Sequence, residues 1–257
     1  MPCGKLKRVT PAFKTLRAGT VCALALLLGG CPAHPSRPGA PAQQAIPAPA
    51  QRAPAHLGRP YDVVAGESLL TIQVYRGGPL AKAGHNHVIA SHDLAGTIYI
   101  PADPMRTTFE IRLPVATLSV DEGALRAQAG QDFQAAVPDS AKEGTRANML
   151  SPALLNAQLF PQIVLRSQSI ESGAAHGDLK VHLEAEVREA LHAILAPVHY
   201  DLQSTQVTIS GEMPLRQTDL GLTPFSAMLG ALQVEDEMRV KFRIVARPAP
   251  PAGGAGH

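Results

Sequence analysis

The richest run of reactive side chains in this 257-residue protein is Gly84-His-Asn-His-Val-Ile-Ala-Ser-His-Asp93. On an extended strand His85 and His87 point to one side, about 7 Å apart, close enough to share a metal ion. Asp93 has the same parity, so His85, His87 and Asp93 form a candidate metal set, still short of a full ligand shell. If the strand runs unbroken into Leu94, His92 points inward with the apolar residues and the other two point out. Two further roles stand open. His85, His87 and His92 would serve as a polar clasp at the mouth of a cavity, hydrogen-bonding a head group, or they are ordinary structural or exposed histidines. His182 alternates with Glu184 and Glu186 and reads as part of a solvated face. Strand phase is unclear at His192 and His199, and neither receives a role.

Other reactive types are missing where a catalyst would need them. The three cysteines, Cys3, Cys22 and Cys31, fall in the first 31 residues. The remainder of the chain therefore holds no thiol nucleophile, cysteine-ligated zinc or disulfide. There is no Gly-x-Ser-x-Gly elbow, no His-Glu-x-x-His and no glycine-rich phosphate loop. A Ser/His/Asp set assembled only by the fold stays open, and no catalytic residue is assigned. The expectation is a binding protein rather than an enzyme.

Charge is distributed by position. Residues 1–60 contain eight Lys/Arg and no Asp or Glu, while 61–257 hold the other 15 basic and all 21 acidic residues, a net of −6 behind an overall +2. A body of that sign, with 4% aromatics and no Trp, excludes a nucleic-acid-binding surface. The basic start ends at Arg17. An apolar run from Ala18 to Leu28 follows, too short to span a bilayer, and then Leu28-Gly29-Gly30-Cys31. This order resembles the bacterial lipoprotein signal, which implies lipidation of Cys31 and a protein tethered to a bacterial membrane on the periplasmic side. Residues 31–60, rich in Pro and Ala, would form an extended spacer of about 3.1 Å per residue. The expected order is a signal peptide over 1–30, lipidated Cys31 and linker over 31–60, one domain over 61–247 and a disordered tail over 248–257.

Strict alternation dominates that domain. It is clear around Leu70-Ile72-Val74, Leu94-Gly96-Ile98-Ile100, Phe109-Ile111-Leu113-Val115, Ile163-Leu165, Leu179-Val181-Leu183-Ala185-Val187, Val207-Ile209-Gly211-Met213 and Met238-Val240-Phe242-Ile244-Ala246, with a run at 192–201 of uncertain phase. One wet and one apolar face mean antiparallel pairing. Eight such strands make a sandwich or a closed barrel, whose interior is either filled or hollow. Helical insertions are expected at about 121–160 and 223–232. The signals are a capping box at Ser140-x-x-Glu143, and Ser151-Pro152 and Thr223-Pro224 as helix starts. Such long connections act as lids or as plugs.

Two stretches carry a family resemblance. They are Asn148-Met-Leu-Ser-Pro-Ala-Leu-Leu-Asn-Ala-Gln-Leu-Phe-Pro-Gln-Ile-Val-Leu-Arg-Ser167 and Gly211-Glu-Met-Pro-Leu-Arg-Gln-Thr-Asp-Leu-Gly-Leu-Thr-Pro-Phe-Ser226, the latter continued by Gly230-Ala-Leu-Gln-Val-Glu-Asp236. In these the chain resembles the YceI-like family. The resemblance implies an all-β fold with short helices: an eight-stranded antiparallel, lipocalin-like β-barrel whose apolar channel binds an isoprenoid-type lipid, a polyprenyl chain or quinone. Leu220 stands where the family usually has an aromatic residue, and the histidine-rich opening is unusual for it. On this reading the channel is lined by Ile72, Val74, Ile98, Phe109, Ile111, Leu113, Leu165, Val181, Leu183, Ile209 and Phe242. No cofactor is expected besides the bound lipid. The alternative function is a metal-binding envelope protein or metal-dependent enzyme built on the His85/His87 cluster. A solid barrel that binds another envelope protein is a third.

Overall fold

Segments that alternate apolar and polar residues must each find a dry side and a wet side, and a closed barrel gives all of them the same dry side. The computed structural model describes residues 57–250, and among these the alternating segments form an antiparallel barrel of eight strands. Three of the eight are broken into two pieces. Strand β1 comprises Arg59–Val63 and Leu69–Val74, β2 comprises His87–Ser91 and Ala95–Ile100, and β3 comprises Thr108–Pro114 and Ser119–Val120. The others are continuous: β4 Gln162–Ser172, β5 Asp178–Val187, β6 Ala190–Leu202, β7 Val207–Arg216 and β8 Glu237–Pro248. Each pairs with its sequence neighbour, and β8 closes the ring onto both pieces of β1, with Tyr61 opposite Pro248 and Ile72 opposite Val240.

Side chains repair the breaks. Between the pieces of β1, the Val64 amide donates to the Val245 carbonyl (2.8 Å), and the Val245 amide donates to Ser68 Oγ (3.0 Å). Ser68 Oγ in turn donates to the Val64 carbonyl (2.9 Å). A hydroxyl thus stands in for the missing ladder bond at a fully buried residue. Where β2 meets β3 the backbones come so close that only glycine fits: a Cβ on Gly96, at φ +152°, would lie 2.1 Å from the Glu110 carbonyl oxygen. In β4 a bulge between Ser167 and Ser169 returns Ile170 to the inner face opposite Val181.

The two rims differ. Both described chain ends leave from one rim, where Arg59 pairs with Ile100 and Tyr61 with Pro248. The opposite rim carries the insertion between β3 and β4, with helices α1 (Gly123–Gln128) and α2 (Asp139–Leu150). Met149 and Leu155 from this insertion, and Leu222 from the loop after β7, join the barrel's apolar core with Ile89, Leu113 and Val187. The insertion acts as a plug.

The expected caps are corrected. Helix α2 begins at Asp139 behind Pro138, with no side-chain cap, so Ser140 lies inside its first turn. Ser151-Pro152 stops this helix rather than starting another, because a proline ring pushes the preceding residue out of the α region; Ser151 is extended at ψ 163°. After Thr223-Pro224 there is no α-helix. Ser226–Ala227 and Leu232–Val234 pair around a turn whose Met228 and Leu229 take positive φ, and Leu232–Val234 continues onto Arg76–Gly77 as a small separate sheet.

Candidate functional site: an apolar channel and its plugged end

The inward side chains of all eight strands leave an elongated cavity of ≈ 210 Å³ along the barrel. Ile72, Ile98, Phe109, Ile111, Leu113, Leu165, Val181, Leu183, Ile209 and Phe242 line it, as the alternation predicts. Val74 does not. It shares the inward parity, but it is the last residue of β1 at the plugged rim, beyond the end of the cavity. From Leu179 to Val187 the wall spans eight residue steps of β5. At about 3.3 Å per residue and a tilt near 40°, that is a channel roughly 20 Å deep. No lining residue carries a charge, and apart from Thr107 and Tyr200 every lining side chain is apolar. Phe242 lies across Gly211, where a Cβ would come within 2.5 Å of its ring. Leu220, at the aromatic position of the motif, is also in the wall.

The histidines fall elsewhere, and this overturns their expected grouping. The first piece of β2 starts at His87, and register sets His87 opposite Val74 and Ile89 opposite Ile72, on the inward side at the plugged rim. Its Nδ1 lies 2.6 Å from Asp121 Oδ2, and its Nε2 is 3.1 Å from the Thr145 hydroxyl of α2. Asp121 Oδ1 accepts from the Val88 amide (2.9 Å) and from Arg126 Nη1 (2.6 Å). Arg126 also donates to the carbonyls of Asn86 (2.8 Å) and Ala135 (2.9 Å). Burial of Asp121 pushes its carboxyl pKa up, but the bonds from His87, the Val88 amide and Arg126 outweigh it, and the net value lies below the ordinary aspartate range. This buried network ties the insertion to β2.

His85 is half-buried, its ring 6.1 Å from that of His87, and it joins no such network. Asp93 is exposed in the turn between the pieces of β2. That turn breaks the strand phase, so His92 projects into solvent with Nε2 3.0 Å from Glu122. Neither the triad of His85, His87 and Asp93 nor a histidine clasp at the cavity mouth is assembled. Among the described residues, no three His, Cys, Asp or Glu side chains are grouped to hold a metal. Cys31 lies outside the described residues.

Sequence reasoning missed Asp121, Arg126 and Thr145, which the fold alone brings to His87. A partial signal existed in Asp121 directly after the apolar Val120, since Asp tolerates the left-handed φ of +57° found there. Pairing also settles His192: it stands opposite Ala185, hence on the inner face of β6.

Comparison with known proteins agrees with this architecture. No curated protein matches the chain. The crystal structure of BcnA from Burkholderia cenocepacia superposes with a TM-score of 0.52 at 14% identity, covering 72% of this chain and 99% of that one. A polyisoprenoid binding domain from Saccharophagus degradans, implicated in plant cell wall breakdown, gives 0.47 at 11% identity, covering 74% and 98%. The YceI protein of Campylobacter jejuni gives 0.44 at 9%, covering 62% and 82%. The model of the YceI-like domain matches residues 80–246, most of the barrel, and the chain belongs to that family.

Proposed function

We propose that this protein is a periplasmic, membrane-tethered lipid carrier that sequesters an isoprenoid-type lipid, a polyprenyl chain or quinone, inside its barrel. The observation that carries the proposal is the channel itself, elongated, uncharged and lined almost entirely by apolar side chains. A long hydrocarbon chain gains about 25 cal/mol for each Å² it withdraws from water, and nothing in the wall opposes its entry with an unpaired charge. The isoprenoid class is what family membership implies, and tethering rests on Cys31 at the end of its lipoprotein-like leader. No covalent step is involved. The test is to express the full chain in a bacterium, purify it, extract with organic solvent and analyse the extract by mass spectrometry, alongside displacement of a fluorescent apolar probe. A co-purified polyprenyl lipid or quinone supports the proposal. Protein that carries no lipid and binds no apolar probe overturns it.

A further inference from the structure

The channel shares one wall with a second cavity. On the outer face of β2, β3 and β4 lies a groove of ≈ 670 Å³ whose lining includes Arg106, Arg112 and Arg166, with Glu110 paired to the last two. Phe109 borders both spaces, and the residues before it face them in turn: Thr107 lines the channel, Arg106 and Thr108 the groove. The partition is one strand thick, and its seam with β4 is weakly sewn. The β3–β4 ladder ends at Glu110 opposite Arg166. Beyond it Phe109 still pairs with Ile98 of β2, but its amide donates to the Ser167 hydroxyl (3.0 Å), a side chain standing where the ladder would continue. Nearer the rim the Ser172 hydroxyl reaches Met105 Sδ (3.7 Å) in the loop between β2 and β3. Side-chain contacts, rather than ladder bonds, are what must yield for a chain to pass here.

Polarity rises toward this side of the barrel. The two hydroxyl-bearing side chains of the channel wall, Thr107 and Tyr200, both stand at the unplugged end: Thr107 directly before β3, and Tyr200 opposite Ile209 beside the β6–β7 hairpin. Outside, the groove sets three arginines against one carboxylate, although residues 61–257 together carry −6. Glu110 is shared between Arg112 and Arg166, and Arg166 also reaches Glu186 (2.7 Å). Arg106 is exposed, and its guanidinium has no partner among the described residues. A guanidinium fork matches two phosphate oxygens at once. A phosphate drawn into the channel would be dehydrated with no counter-ion; in the groove it keeps part of its water and meets cations.

We infer that this groove is a head-group site, in which a phosphate-bearing end of the lipid rests on Arg106, Arg112 and Arg166 while its chain runs past Phe109 into the channel. The inference rests on the lipid-carrier reading and narrows it to anionic lipids, polyprenyl phosphates or pyrophosphates, over quinones.

The test uses the full chain, stripped of co-purified lipid, and measures displacement of a fluorescent apolar probe by geranylgeranyl phosphate, geranylgeraniol and a short-chain ubiquinone. The phosphate should compete about tenfold better than the alcohol, as a few solvent-exposed charge-assisted bonds provide, and this preference should shrink in high salt. The quinone should do no better than the alcohol. Arg106→Glu, a change at an exposed and unpaired side chain, should erase the preference without lowering Tm, and Arg106→Lys should keep part of it. Arg239→Glu, the same charge change on β8, should leave it intact. Inorganic phosphate should displace no probe but should erode the advantage of the phosphate lipid. If phosphate and alcohol compete equally, if Arg106→Glu and Arg239→Glu act alike, or if the quinone competes best, the head-group site is refuted and the carrier reading stands. Phosphorus-31 NMR that shows inorganic phosphate bound at the arginines, with no preference for the phosphate lipid, makes the groove a free-phosphate site and overturns the inference. If no lipid displaces the probe, both readings fall.

Discussion

Asp121→Asn is the sharpest test of how the plug is held. The native carboxylate side chain is fully buried and takes three bonds, from His87, the Val88 amide and Arg126. The amide keeps the shape and can still accept from Val88, but it strips the counter-charge from a guanidinium that is itself only 10% exposed. Breaking a buried pair in this way costs about 3–5 kcal/mol, and we expect about 3 because part of the bonding survives. In a domain of this size 1 kcal/mol corresponds to roughly 2–4 °C, so Tm should fall by roughly 6–12 °C at pH 7. Circular-dichroism melts across pH supply the second reading. The folded-state pKa of Asp121 is depressed, so its contribution is present above the unfolded value near 3.9 and is lost as pH falls through the lower folded value. The gap between native protein and variant should therefore close below pH ~4. Adding Arg126→Met should recover part of the loss by removing the orphaned charge, though the carbonyls of Asn86 and Ala135 then lose their donor. A variant within about 1 kcal/mol of the native protein at pH 7, or a gap unchanged down to pH 3, would refute the argument.

Three other perturbations separate the parts of the structure. Ala196→Phe, at a buried wall position on β6, should fill the channel and weaken apolar-probe binding at least tenfold in displacement titrations, with little change in Tm because the ring enters existing space. Ser68→Ala should cost about 1–2 kcal/mol in urea denaturation by leaving the Val245 amide unpaired. Arg166→Ala removes ion pairs to Glu110 (2.9 Å) and Glu186 (2.7 Å), yet Arg166 is 40% exposed and the loss should stay below about 1 kcal/mol and shrink further in high salt.

Much of the barrel was legible because its physics is local. A period of two names an inner face without knowledge of any partner, and Leu179 through Val187 reads directly as channel wall. The same rule failed wherever the chain changes phase. The turn at His92-Asp93 reset the parity that had been carried through to Leu94. The bulge before Ile170 hid one wall residue behind a polar run. Where both faces of a segment look alike, as at 192–201, only the ladder to β5 decides, and that is a non-local fact. The site around His87 was illegible for the same reason: Asp121 and Thr145 lie 34 and 58 positions from the histidine and meet it only when the insertion folds back. The Ser151-Pro152 pair misled because a capping residue followed by proline also marks a helix end.

The seam between β1 and β8 joins the two ends of the domain. Tyr61 and Pro248 are far apart in the chain, so their pairing carries a large loop-closure cost, and on a folding route that makes it last the ring is an open trough until then. Until the last strand arrives, two edges are unpaired and the apolar floor is bare. A long apolar chain lying in that trough would be wrapped as the seam shuts, with no need to thread a narrow rim. Exchange in the finished barrel would instead require its own opening. Loading during folding and release afterwards are then different processes with different barriers, and a variant that loosens the seam should speed the second without altering what is bound.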